Sequence, residues 1–248
     1  MTKKITIKNC QVINEGEIFE SDLLIEDGRI SKIDSSIETQ GDVIDAKGLY
    51  LMPGVIDDQV HFREPGLTER GSIKTESLSA IAGGTTSFMD MPNVLPPTLS
   101  LDLWREKISI AEQNASANFS FYMGTSNTNI DEIKAIDPKE VCGIKIFMGA
   151  STGNLLVDNE ESLNNLFKES PVIITTHCED TPMIKDLEEK YLNEFGPEIP
   201  VDMHADIRSR DCCLKSSKKA IELAEKHQAN LHILHISTKE EISLFSNK

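Results

Sequence analysis

His61, His177 and His235 each close a short apolar run, at 55–61, 172–177 and 231–235, and Lys145 lies inside another, Gly143-Ile144-Lys145-Ile146-Phe147. Neutral imidazole is the commonest side-chain ligand for metals, and zinc accepts it together with oxygen donors. A single histidine at a strand end is more often a hydrogen-bonded rim residue. Three at equivalent ends of parallel strands would converge on one axis. Lys145 is chemically odder, because an ammonium among Ile144, Ile146 and Phe147 is costly to bury. Either the amine snorkels to the rim or pairs with a carboxylate, or it is covalently altered. Carbon dioxide on the amine gives a carbamate, which turns a cation into a two-oxygen anion able to bridge two metals.

A second polar set lies in Pro53-Gly54-Val55-Ile56-Asp57-Asp58-Gln59-Val60-His61-Phe62-Arg63-Glu64-Pro65-Gly66. In a strand, alternate side chains share a face, so Asp57, Gln59, His61 and Arg63 point one way and Val60 and Phe62 the other. A solvated edge strand would also look like this. What sets the stretch apart is that further runs carry polar groups near their ends too: Asp90 near the end of 85–91, Asn93 just after it, and Lys145 within 143–147. The remaining histidines read as structural or solvated. His204 opens a polar stretch before a helix, His227 lies near a helix C-terminus where a cation suits the dipole, and His232 alternates away from His235. Cys178 faces away from His177 by the same alternation.

These residues need elements to hold them. Residues 5 to 51 read as short strands, Ile5-Thr6-Ile7, Val12-Ile13 and Asp22-Leu23-Leu24-Ile25, with a hairpin turn at Glu26-Asp27-Gly28-Arg29 into Ile30-Ser31-Lys32-Ile33. Val43-Ile44-Asp45 and Leu49-Tyr50-Leu51-Met52 complete an all-β segment, 1–52, expected to be part of a composite β-sandwich. From Pro53 the pattern changes to strand candidates at 55–61, 85–91, 119–123, 143–147, 172–177 and 231–235. Helical stretches around 70–82, 100–115, 129–136, 159–169, 183–195, 205–227 and 238–245 separate or follow them. That alternation predicts a parallel α/β sheet. Polar residues at the C-terminal ends of so many strands favour a (β/α)8 TIM-like barrel over a doubly wound sheet, whose ligands gather at one switch point. A closed barrel needs eight strands in about 250 residues, so residues 53–248 are expected to form an incomplete barrel, truncated after about six strands.

Bulk properties narrow the chemistry. The chain has 248 residues, 39% of them apolar, and a net charge of -16. So acidic a balance argues against nucleic acid or an anionic membrane as partner, since both need basic patches. No apolar run approaches the ~18 residues of a membrane-spanning helix, and Met1-Thr2-Lys3-Lys4 is not followed by a signal-peptide core. Cys10, Cys142, Cys178, Cys212 and Cys213 form no regular framework, which predicts reduced thiols in a cytoplasmic protein. No Gly-rich phosphate loop of familiar spacing is present.

The ordered set His61-Phe62-Arg63-Glu64-Pro65-Gly66, Met91-Pro92-Asn93, Gly143-Ile144-Lys145-Ile146-Phe147, Thr176-His177-Cys178-Glu179 and His232-Ile233-Leu234-His235 resembles successive motifs of the dihydroorotases, cyclic amidohydrolases of the amidohydrolase superfamily. The resemblance implies a metal-dependent hydrolase with one or two Zn2+ per subunit. It makes His61 a ligand of the first metal, Lys145 as N6-carboxylysine the bridge, and His177 and His235 ligands of the second. Arg63 and Asn93 would grip the α-carboxylate of a small-molecule substrate, a task suited to a planar guanidinium fork. The implied reaction is reversible cyclisation of N-carbamoyl-L-aspartate to L-dihydroorotate in pyrimidine biosynthesis. Two departures stand out. Gln59 occupies the first position of the family's His-x-His, leaving occupancy of the first metal site open. The family's catalytic aspartate, on the last barrel strand, is expected beyond Lys248, so no general acid/base is named and the 248 residues alone are expected to be inactive. Allantoinases, dihydropyrimidinases and a non-catalytic scaffold remain as alternatives, and a homodimer is among the oligomeric states left open.

Overall fold

The computed structural model describes residues 3–149 and 153–245, and its contacts divide the chain into two compact units, Met1–Val55 and Ile56–Lys248. In the first unit, β1 (Lys4–Asn14) pairs antiparallel with β2 (Glu17–Glu26), and β2 with β3 (Arg29–Asp34). β4 (Asp42–Asp45) and β5 (Tyr50–Leu51) run parallel along β1. The two hairpin turns follow from residues tolerant of positive φ: Glu15 and Gly16 at 51° and 83°, Asp27 and Gly28 at 49° and 78°. The two short strands expected at 5–7 and 12–13 are one strand. A bulge between Ile7 and Cys10 interrupts its register, with Asn9 at φ 59°.

A buried carboxylate fixes that bulge. Asp22, 3% exposed, accepts the Asn9 and Ile37 backbone N–H groups, each at 2.9 Å, and pairs with the Lys8 ammonium. The described residues of this unit form a single sheet, with Ile7, Cys10, Val12, Leu23 and Ala46 as its buried cluster.

Strand β6 (Val55–Val60) leads into the second unit, where strand and helix alternate: α1 (Ile73–Ala82), β7 (Thr85–Asp90), α2 (Leu101–Asn114), β8 (Asn118–Phe121), β9 (Met123–Gly124), α3 (Ile130–Lys134) and β10 (Ile144–Phe147). Then follow α4 (Glu160–Glu169), β11 (Ile174–His177), α5 (Thr181–Phe195), α6 (His204–Ile207), α7 (Arg210–His227) and β12 (Leu231–Ile233). The strands make two sheets, β6-β7-β8 and β9-β10-β11-β12, and each pairing recorded between neighbours is parallel. Only Tyr122 separates β8 from β9. Its N–H donates to Asp90 O at 3.1 Å, whereas the next N–H, of Met123, donates to Gly143 O at 3.0 Å. The chain thus passes from one sheet to the other within a residue, giving an arc of six strand positions. Among the described residues no ladder joins β6 to β12, but the side chains of Asp58 and His232 approach to 3.4 Å.

The outer face of the arc carries Phe62, Phe88, Phe121, Ile144, Ile146 and Ile174, packed under Ile73, Trp104, Leu166, Phe167 and Ala220 of the helices. Each such aliphatic or aromatic burial is worth about 1.5–3 kcal/mol. Three helix expectations change. The stretch 183–195 begins earlier, at Thr181, because Asp180 caps the helix by accepting the Met183 N–H at 3.1 Å and Pro182 sits in a first turn whose N–H groups lack partners anyway. The stretch 205–227 divides at Arg208-Ser209, and 238–245 yields only a 3-10 turn, Glu241–Leu244.

Candidate active site

The C-terminal ends of the parallel strands gather the polar side chains into two groups. At the ends of β6 and β7, the His61 ring donates from Nδ1 to Asn93 Oδ1 at 2.7 Å. That bond places the ring's lone pair on Nε2, and burial lowers the pKa of His61, so the neutral imidazole is favoured. Gln59, half-buried on β6, makes no side-chain hydrogen bond among the described residues.

Lys145 lies within β10, His177 at the C-terminal end of β11, and His235 just past the C-terminal end of β12. Lys145 is 1% exposed, and among the described residues it has no carboxylate partner. Its ammonium lies 4.7 Å from the Phe147 ring centroid, and burial pulls its pKa down to about 7. His177 Nδ1 and His235 Nε2 face each other at 3.0 Å. The pKa of His235 is lowered by burial first, then by the neighbouring His177 and Lys145 charges. The Lys145 charge also lowers the pKa of His61, as a lesser cause after burial.

Backbone strain marks the same residues. In the second unit, the described non-glycine residues with positive φ are Arg63 (66°), Gln228 (56°) and His235 (42°). Gln228 is the left-handed C-cap of α7, an ordinary helix ending. Arg63 and His235 have no such excuse, and left-handed non-glycine backbone costs of order 1–3 kcal/mol. Outliers of this kind cluster where geometry serves function.

Two nitrogens 3.0 Å apart suit either a mutual hydrogen bond or one coordination shell, because bonds of ~2.0–2.1 Å at the tetrahedral angle separate donors by about 3.3 Å. The residues that could hold a metal here are therefore His177 and His235, with a carboxylated Lys145. Counting histidine, cysteine, aspartate and glutamate alone, no group of three or more converges among the described residues.

Sequence reasoning missed two residues and misplaced one. Glu179 accepts from His177 Nε2 at 2.7 Å, and the same carboxylate oxygen accepts from Arg208 Nη1 at 2.7 Å. Strand parity could have found Glu179, two residues past His177. No local pattern points to Arg208, 29 residues further on. Asp90 belongs to the scaffold rather than the rim: it faces Lys107 and receives the Phe62 and Met91 N–H groups at 2.9 and 3.0 Å. His227 bonds Asn164 at 2.9 Å, Cys178 is buried in the outer core, and His204 starts α6.

Fold and sequence together point to a class: the chain is similar to cyclic amidohydrolases of the amidohydrolase superfamily and shares the α/β barrel-type fold of those enzymes. It is 32% identical over 246 residues to the dihydroorotase of Methanosarcina acetivorans, covering 97% of this chain and 51% of the relative. It is 29% identical over 248 residues to the allantoinase of Bacillus velezensis, covering 98% and 54%. The solved L-hydantoinase (dihydropyrimidinase) of Arthrobacter aurescens aligns with a TM-score of 0.92 at 27% identity, covering 98% of this chain and 55% of that one. The chain spans about half the length of the curated relatives it matches. No family model matches it. The three relatives carry different names, so the likeness is to a group of enzymes and not to one member. All five cysteines are free, and among the described residues no helix is long and apolar enough to cross a membrane.

Proposed function

We propose that this chain supplies much of the metal- and carboxylate-binding rim of a dihydroorotase, a cytoplasmic enzyme that reversibly cyclises N-carbamoyl-L-aspartate to L-dihydroorotate. The observation that carries the reading is Lys145. A buried amine with no acidic partner among the described residues, brought to about 7 by burial, is largely neutral near pH 8 and free to take up carbon dioxide. Its nitrogen attacks the carbon, a carbamate forms, and one proton is released. His177, His235 and the carbamate of Lys145 would then hold one zinc ion, and the carbamate with His61 a second, with the neutral Gln59 amide a weaker donor than an imidazole. Bound zinc supplies Lewis-acid polarisation of an amide carbonyl and makes water more acidic.

The chain's own residues set substrate choice. Arg63 presents a planar fork that matches a carboxylate. Asn93, with Oδ1 taken by His61, keeps its amide N–H groups for the same carboxylate. Dihydrouracil and the parent hydantoin ring lack that group, which favours dihydroorotate among the family's substrates. The general acid/base is not assigned to any residue of the chain.

The test is to load the full-length protein with Zn2+ and bicarbonate and assay ring opening of L-dihydroorotate, allantoin and dihydrouracil. Turnover of dihydroorotate well above the other two is expected. Preference for allantoin would move the protein to that branch, and zinc binding without turnover of any ring would favour the scaffold alternative.

A further inference from the structure

We infer that Arg208 is a positioning residue for His177, acting through Glu179; the inference deepens the metal-site reading above and rests on it. An imidazole can offer a lone pair from Nδ1 only while its proton sits on Nε2. In His177 the Nε2–H is held by Glu179 Oε2 at 2.7 Å, leaving Nδ1 aimed at His235 Nε2. A carboxylate two residues along the same strand end could rotate away and release the ring. Two features prevent that. Arg208 Nη1 reaches the same oxygen at 2.7 Å, and a side-chain carbon at Gly149 would lie 2.2 Å from the Glu179 carbonyl oxygen, so the backbone at Glu179 is wedged in place.

The clamp also explains a feature of the fold. The helical stretch after α5 divides at Arg208-Ser209, and Arg208 ends α6 with φ -94° and ψ 64°. A continuous helix would place this side chain by helical pitch alone. The interruption lets it turn toward Glu179, and the guanidinium remains one-third exposed while the carboxylate is 9% exposed. A pair built only for stability would gain little from so wet a partner. A pair that fixes an imidazole tautomer gains from geometry, since partners one bond removed from a metal ligand typically change metal affinity 10–100-fold.

The experiment compares wild type, Arg208→Met, Arg208→Lys and Glu179→Gln in the full-length protein. Imidazole nitrogen NMR shifts of the metal-free protein report the His177 tautomer, and competition with a chromophoric chelator reports Zn2+ affinity. Wild type is expected to hold the Nε2–H form. Arg208→Met and Glu179→Gln are expected to mix tautomers and weaken Zn2+ binding roughly tenfold. Arg208→Lys should restore most of the affinity, because the contact uses one nitrogen only. An unchanged tautomer and Zn2+ affinity within about twofold, with only the melting temperature lowered, would reduce Arg208 to a fold-stabilising residue. If Arg208→Met does not fold, the lysine and glutamine variants decide by the same readouts. Should wild type bind no zinc, the metal reading fails, and the tautomer measurement alone still accepts or rejects the clamp.

Discussion

The Asp90 carboxylate and the Lys107 ammonium lie 2.7 Å apart, both side chains fully shielded from solvent. Asp90 also receives the Phe62 N–H at 2.9 Å, and Lys107 donates to Met91 O at 2.9 Å. The pair therefore ties α2 to the ends of β6 and β7, directly behind His61 and Asn93. Lys107→Met would leave a buried carboxylate without its cation, at a cost of about 3–5 kcal/mol. Urea unfolding should show that loss, and Asp90→Asn combined with Lys107→Met should recover part of it. An equal loss in single and double variants would mean that the cation matters for packing rather than charge.

Arg63 separates strain from function. Its φ of 66° is natural for glycine, so Arg63→Gly is expected to hold or raise stability by up to about 1 kcal/mol while abolishing binding of a carboxylate substrate. Arg63→Lys keeps the strain and the charge but loses the fork, and should raise KM about tenfold or more with zinc content unchanged. Thermal unfolding with substrate titration checks both; a destabilised glycine variant would show that the guanidinium serves the fold.

Lys145 gives a pH dependence with a defined sign. Burial holds its pKa at about 7, below the ordinary lysine value, so the neutral amine grows as pH rises through about 7. Carbamate formation and zinc loading should therefore both increase between about pH 6 and 8 and respond to added bicarbonate. Lys145→Ala should lose zinc, and a short carboxylic acid should restore part of it. Intact mass under alkaline, metal-loaded conditions checks the adduct, and an unmodified Lys145 in an active, zinc-replete protein would end this reading.

Asp22 predicts the acid limb of stability. Hydrogen bonding from Lys8, then from the Asn9 and Ile37 N–H groups, holds its pKa at about 2, opposed by burial. The folded value lies below the unfolded ~3.9. Its contribution is thus fully present above about pH 4 and disappears as pH falls toward 2. Asp22→Asn should be less stable at pH 7 and lose less between pH 4 and 2. Parallel acid-unfolding curves for the two proteins would contradict the assignment.

The sequence showed most of the scaffold because buried parallel strands write themselves as Ile/Val runs, such as Gly143 to Phe147 and Val172 to Ile174. It showed the rim histidines through strand parity. It could not show that Asp90 turns outward, because a strand's last residue has two faces available and only α2, bringing Lys107, selects one. Arg208 was hidden for a similar reason: its partner is distant in sequence and its position depends on a break between helices. The start of α5 at Thr181 rests on the Asp180 cap and on Pro182 in a first turn that needs no N–H, a pairing that the reading 183–195 does not use.

The change of sheet at Tyr122 has a mechanical meaning. His61 and Asn93 follow strands of one sheet, whereas Lys145, His177 and His235 belong to or follow strands of the other. A ligand that touches both sets would act as a rivet across the seam, tying together two plates that the backbone joins through one residue. Occupancy would then be legible in rigidity: hydrogen exchange along β8 and β9 should slow on binding, even though neither strand contributes a candidate ligand.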